Sequence, residues 1–266
     1  MCIKLLFRFI NSIILLTLLP VNLLAAEKMM AKEPWAQSIS MKQSPGMLET
    51  ISAGSQQVTM VWLKQQGKAN GSIILLHDIN QNPDWQYVIK PLRTTLPRFG
   101  WTSISVPLPA IPEGADDKVL VSKLSQLGAS IQAASTLAQS KTKGKVILLG
   151  YGTAARLAVS WLSKTPDPAI AALIIVSMPN GKTDSSLKSN NELLSIKIPV
   201  LDLIAEKDKP AVLLAAKGRW QQRSQLKQYR QIEINATGQF YSQQEDELVK
   251  RIRGWLTKTF NKKTGN

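Results

Sequence analysis

The stretch best placed to do chemistry is KVILLGYGTAARLAVSWL, residues 145–162. Its apolar start reads as a buried strand, Gly150 and Gly152 as a tight turn, and the remainder as a helix. A strand that turns this sharply into a helix is the setting of the Gly-x-Ser-x-Gly elbow, which lifts a nucleophile above the end of a sheet. The five positions here are Gly150-Tyr151-Gly152-Thr153-Ala154, so the nucleophile position is Gly152, which has no side chain to attack with. Glycine nevertheless suits the turn. The centre of an elbow is held in a strained backbone region that costs about 1–3 kcal/mol for a residue with a Cβ, and glycine enters it without that cost.

The rest of the chain offers little to replace the missing group. A hydroxyl nucleophile is weak until a base takes its proton, and the base is nearly always histidine. The only histidine is His77, which precedes the turn. It reads as a strand-end residue bonding loop backbone, with a surviving base or ligand contact as the alternative. Thr153 is a candidate substitute nucleophile, but the residue after an elbow's centre normally contributes its backbone N–H to the oxyanion hole. Asp116-Asp117 reads as a solvated loop in preference to a cation site. No spacing of His, Cys or carboxylates suggests a transition metal, and no cofactor is expected. Residues 150–155 also fit G-x-G-x-x-A, a dinucleotide fingerprint. That reading lacks its acidic residue after the next strand, Ile170–Met178, and the motif does not open the domain.

Around this turn the chain alternates strand-like and helix-like segments, which argues for α/β architecture with a mostly parallel central sheet flanked by helices on both faces. Strands are expected at 57–64, 71–77, 101–108, 145–149, 170–178, 198–205 and 231–235. Helices are expected at 84–99, 118–140, 152–164 and 244–260, the last with Leu248, Ile252, Trp255 and Phe260 on one face. Residues 48–260 form one domain in this reading, preceded by a polar leader or linker over 27–47 and followed by a frayed basic tail over 261–266.

Residues 1–26 carry Lys4 and Arg8, an apolar run over Phe9–Leu24 and a small-residue end at Ala25-Ala26. That is the layout of a signal peptide. The expectation is export, with the periplasm favoured over membrane anchoring by an uncleaved signal. The only cysteine, Cys2, falls within this segment, so cleavage leaves no thiol for disulfides or catalysis. The formal charge of +15 falls to +13 on loss of Lys4 and Arg8. A basic surface of this kind either aids solubility or attracts lipid head groups and other anionic envelope polymers. Its densest stretches are Lys217, Arg219, Arg223, Lys227 and Arg230, then Lys250, Arg251 and Arg253. They lack the interleaved aromatics of a single-strand nucleic-acid platform, so nucleic acid is not an expected partner.

The elbow-like turn, LLHD at 75–78, Asp208 and TGQF at 237–240 together resemble the α/β-hydrolase superfamily. More narrowly, LLHDINQNPDWQYVIKPLRTTLPRFGWTSISVPLP and GQFYSQQEDELVKRIRGWL resemble an uncharacterised hydrolase-like family of exported bacterial proteins, over residues 48–258. The resemblance implies that Asp208 occupies the triad-acid position and Gln239 the histidine position, and that Asp78 stands where Gly is usual. It follows that catalytic positions 152 and 239 are degenerate. The expected function is a non-catalytic envelope protein binding an unknown small molecule or envelope protein. The expected cleft lies at the carboxyl ends of the strands, lined by His77, Asp78, Tyr151, Gly152, Thr153 and Gln239. The alternatives are an esterase with a non-standard nucleophile and an electrostatic adaptor for anionic envelope polymers.

Overall fold

The computed structural model describes residues 33–181, 187–226 and 228–260. The signal-like segment 1–26, the start of the leader, Lys227 and the tail 261–266 lie outside them. Eight strands form one sheet: β1 (Met47–Ala53), β2 (Gln56–Leu63), β3 (Gly71–Leu76), β4 (Trp101–Val106), β5 (Lys145–Tyr151), β6 (Ile170–Val176), β7 (Val200–Ala205) and β8 (Tyr229–Ile234). The spatial order is β1-β2-β4-β3-β5-β6-β7-β8. Strand β2 runs antiparallel to both β1 and β4, and every other pairing is parallel. The runs GSIILL and WTSISV are buried along their whole length, as strands covered on both faces must be.

Alternating side chains divide the core into two layers. Ile74, Leu76, Leu148, Leu173 and Ile175 face one side, under α4 (Leu124–Lys141) and α5 (Thr153–Lys164). Ile73, Leu75, Ile147, Leu149 and Ile174 face the other, under α2 (Ile89–Thr95) and α8 (Glu245–Phe260). The expected helices over 84–99 and 118–140 are both interrupted. The first begins only at Ile89 and tightens into a 3-10 turn over Leu96–Phe99. The second breaks at Lys123 into α3 (Asp117–Ser122) and α4. Asp116 caps α3 by accepting from Val119 N at 2.9 Å, and Asp117 pairs with Arg156 at 2.9 Å. Both carboxylates are engaged by the chain itself, Asp116 while exposed to solvent and Asp117 while half-buried.

The linker reading of residues 27–47 is corrected for its second half. Pro34–Ser40 forms helix α1, whose Trp35, Ala36 and Ile39 pack on Val61 of β2, and Met47 already belongs to β1. Arg93 anchors this segment. Fully buried, it bonds Asp84 and the Pro45 carbonyl, and it reaches Ser44 Oγ at 2.9 Å. Trp35 and Ile39 supply too short an apolar stripe to show as periodicity, and Arg93 reaches back across nearly fifty residues.

Candidate functional site

Strands β3 to β8 point the same way, so the loops after them meet at one edge of the sheet. At the end of β5 the chain turns at Gly152, with φ 60° and ψ −126°, and enters α5 directly. Gly152 N donates to Val176 O at 2.9 Å, which ties the turn to the neighbouring strand. Gly150 is equally constrained, since a Cβ there would come within 2.6 Å of Ala155 Cα. This is the elbow backbone expected from the sequence, with an empty centre.

The space above Gly152 belongs to Asp78. Its Oδ1 accepts from Thr153 N at 2.7 Å and from Ile79 N at 2.9 Å. A Cβ at position 152 would fall 2.7 Å from Asp78 Oδ1 and closer still to Cγ and Oδ2. The amide after the elbow's centre is an oxyanion-hole donor in this geometry, and here a carboxylate of the same chain occupies it. Burial raises the Asp78 pKa, while the hydrogen bonds from Thr153 and Ile79 and the charge of Lys209 oppose the rise.

His77 lies at the end of β3, 5% exposed. Its Nδ1 is 2.7 Å from the Asp78 carbonyl, and its Nε2 accepts from Leu108 N at 3.2 Å. Those partners require a neutral ring with the proton on Nδ1. Burial pushes its pKa down to about 4, against the opposing pull of the Asp78 carbonyl. The imidazole joins two strand-end loops, and both its nitrogens are occupied.

Asp208 follows β7, as the resemblance implies, and is held by neighbours other than a histidine. Its Oδ2 accepts from Ser177 Oγ at 2.5 Å and Ala205 N at 3.2 Å, and its Oδ1 accepts from Lys209 N at 2.8 Å. Ser177 Oγ also lies 3.0 Å from the Tyr241 hydroxyl. Ser177 and Tyr241 both adopt positive φ, 49° and 53°. Their part in the site was not foreseen. Ser177 stood within a segment read as strand, and Tyr241 two residues beyond the expected histidine position.

Gln239 does approach the elbow, through its backbone. Its carbonyl accepts from the Tyr151 hydroxyl at 3.1 Å. Burial, with the charge of Asp78, holds that phenol far above its ordinary range. The six expected cleft residues therefore come together. His77, Tyr151 and Gly152 are buried, whereas Asp78, Thr153 and Gln239 are half-buried. Phe240, next to Gln239 in the chain, forms an aromatic cluster with Trp85 and Tyr87, with ring centroids 5.3 to 6.5 Å apart.

The basic segments do not form one face. Asp202 and Ile204 of β7 turn toward α7 (Pro210–Gln221), while Leu201, Leu203 and Ala205 turn toward α8. Lys217 and Arg223 thus lie across the sheet from Lys250, Arg251 and Arg253, whereas Arg230, paired with Leu201, turns to the α8 side. Arg219 is buried outright, bonding Asp202 at 2.7 and 3.1 Å.

The sheet order, the elbow and the strand-end loops define an α/β-hydrolase fold. Est1E from Butyrivibrio proteoclasticus superposes with a TM-score of 0.65 at 12% identity, covering 82% of this chain and 100% of that one. The Pyrococcus furiosus esterase Pf2001 gives 0.65 at 15% identity, covering 84% and 93%. A CIB-like hydrolase from Thermoplasma acidophilum gives 0.59 at 14% identity, covering 80% and 98%. Identities this low establish shared fold alone. Within that class the chain belongs to the family described as protein of unknown function (DUF3530), whose model matches residues 36–120 and 114–258. No curated protein sequence matches it.

Proposed function

We propose that this protein is a non-catalytic cell-envelope protein that uses a hydrolase scaffold to bind a ligand or partner. The observation that carries this reading is the Asp78 carboxylate seated on the amides of Ile79 and Thr153, above a glycine where the nucleophile belongs. Acyl transfer needs a nucleophile, a base and free donors for the developing oxyanion. Position 152 lacks the first, Gln239 replaces the second, and Asp78 occupies the third. Export and the periplasmic setting rest on residues 1–26 alone. The test is turnover of p-nitrophenyl esters by the purified mature protein. No turnover beyond that of His77→Ala and Thr153→Ala is expected, and activity lost in those variants would defeat the proposal.

The second reading is an esterase with a displaced nucleophile, and one contact favours it: Ser177 Oγ donates to Asp208 at 2.5 Å. Against it, Ser177 is 2% exposed and His77 has no free nitrogen to serve it. Attraction to anionic lipid head groups or polymers remains compatible with the charge of +15, but it would have to act through separate faces.

A further inference from the structure

Helix α7 packs on the sheet through Val212, Ala215, Ala216 and Arg219, and turns a second apolar set to solvent. Leu214, Lys217 and Gln221 recur at spacings of three and four, so they share the outward stripe. Trp220 flanks that stripe, seven residues after half-buried Leu213. Leu214 is 74% exposed and Trp220 48%. The charge around them has one sign. Residues 209–230 contain no aspartate or glutamate. Lys217, itself exposed, stands three residues from both Leu214 and Trp220. Arg223 lies over the Trp220 ring, 4.2 Å from its centroid, and donates to the Trp220 carbonyl at 2.7 Å. Among the described residues, neither Lys217 nor Arg223 takes part in an ion pair. The carboxylates of flanking segments do not neutralise them. Asp202 and Asp208 are buried, Glu206 lies in the loop before the helix beside Lys207, and Glu233 is paired with Ile204, which packs on the inner side of α7.

Apolar tips framed by unpaired cations complement an anionic surface with an apolar interior. Two such tips on a helix about 18 Å long fall far short of the roughly 800 Å² per partner that a specific protein interface buries. A bilayer makes no such demand, because it yields to single side chains. A soluble polyanion would match Lys217 and Arg223 but would gain nothing from Leu214. Tryptophan suits the head-group layer, where its ring lies against apolar chains and its polar edge stays wet. Arg223, stacked on that ring, brings a cation to the same level. Each Lys or Arg held near an anionic leaflet adds to the attraction, and exposed apolar side chains add to it by burial.

We propose that the outward face of α7 docks on an anionic phospholipid bilayer, with Leu214 and Trp220 entering the head-group boundary and Lys217 and Arg223 on the phosphates. The inference rests on the envelope part of the proposed function and is independent of the elbow's chemistry. The test is co-sedimentation of the mature protein with vesicles of phosphatidylcholine alone and of an equal mixture with phosphatidylglycerol, with urea midpoints confirming that each variant is folded. The wild type should bind the mixed vesicles, weaken as salt rises, and leave pure phosphatidylcholine in solution. Leu214→Ser should weaken binding about fivefold or more, and Trp220→Ala severalfold. Lys217→Gln with Arg223→Gln should weaken it about tenfold or more. Lys250→Gln with Arg251→Gln removes the same charge across the sheet and should change it far less. No binding by the wild type would overturn the proposal. Equal loss in the two charge pairs, or binding untouched by Leu214→Ser and Trp220→Ala, would reduce it to diffuse charge attraction and overturn it too. A dimer in solution that Leu214→Ser dissolves would give the face to a second copy instead. Ester turnover, or retention of the chain in the cytosol, would defeat the proposed function without altering vesicle binding, so the failures are distinguishable.

Discussion

A side chain at position 152 meets two obstacles, a backbone at φ 60° and the carboxylate of Asp78. Gly152→Ala is therefore expected to destabilise by about 1–3 kcal/mol from backbone strain alone, and by more through the clash. In a double-mutant cycle by urea unfolding, the cost should shrink in an Asp78→Gly background; an unchanged cost would mean that the two positions are not coupled. His77 gives the second prediction at this scale. Its pKa is about 4 when folded, below the ~6.5 of an unfolded histidine. The unfolded chain thus binds the extra proton between those values. The ring's contribution is whole above pH ~6.5 and is lost as pH falls toward 4, on the order of 3 kcal/mol in all. His77→Gln should flatten that part of the stability–pH profile, measured by urea midpoints from pH 7 to 4.5. The empty elbow and the lone histidine were legible in the sequence because each is a matter of residue type. The seat of Asp78 was not, since its partner amide at Thr153 lies 75 residues away and no local pattern records a contact that long.

Elements were legible where burial is periodic or continuous. Strands β3, β5 and β6 stood out as apolar runs, and α8 by its single apolar face. Helix α7 did not, because its pattern is inverted: Leu214 is 74% exposed while Arg219 is buried. The reason is Asp202, wholly buried in β7 and bonded by Arg219, by Tyr229 Oη at 2.5 Å and by Gln231 Nε2 at 2.8 Å. Arg219 also reaches the Met178 carbonyl at 3.0 Å and Asn190 at 3.2 Å, joining α7 to α6 (Ser189–Leu193) and the loop after β6. A charge read as surface is in fact internal. Removing one partner strands the other, so Asp202→Ala should cost about 3–5 kcal/mol. Replacing both, as Asp202→Leu with Arg219→Met, should cost less than the single change in chemical denaturation; equal costs would show that the pair is not the source of the penalty.

For the whole molecule, the sequence yielded the parallel sheet and its flanking layers but placed the domain start too late. Helix α1 and the segment held by Arg93 belong to the folded unit. Removing residues before Met47 strips Trp35 and Ile39 from Val61 and leaves Arg93 short of Ser44 and Pro45. The truncated chain should lose about 3–6 kcal/mol, counting the buried Trp and Ile side chains, visible as a lower urea midpoint; an unchanged midpoint would return the segment to the status of linker. The opposed basic faces likewise became visible only once the sheet separated them. On the proposed non-catalytic reading, Gly152, Asp208 and Gln239 of this hydrolase frame serve neighbouring loops and one another, through the contacts of Thr153 with Asp78, Ser177 with Asp208 and Tyr151 with Gln239. Fluorophosphonate labelling of the folded, purified protein, read by intact mass, tests that most directly. The expected result is an unmodified mass; a stoichiometric adduct mapped to Ser177, Thr153 or any other hydroxyl would contradict it.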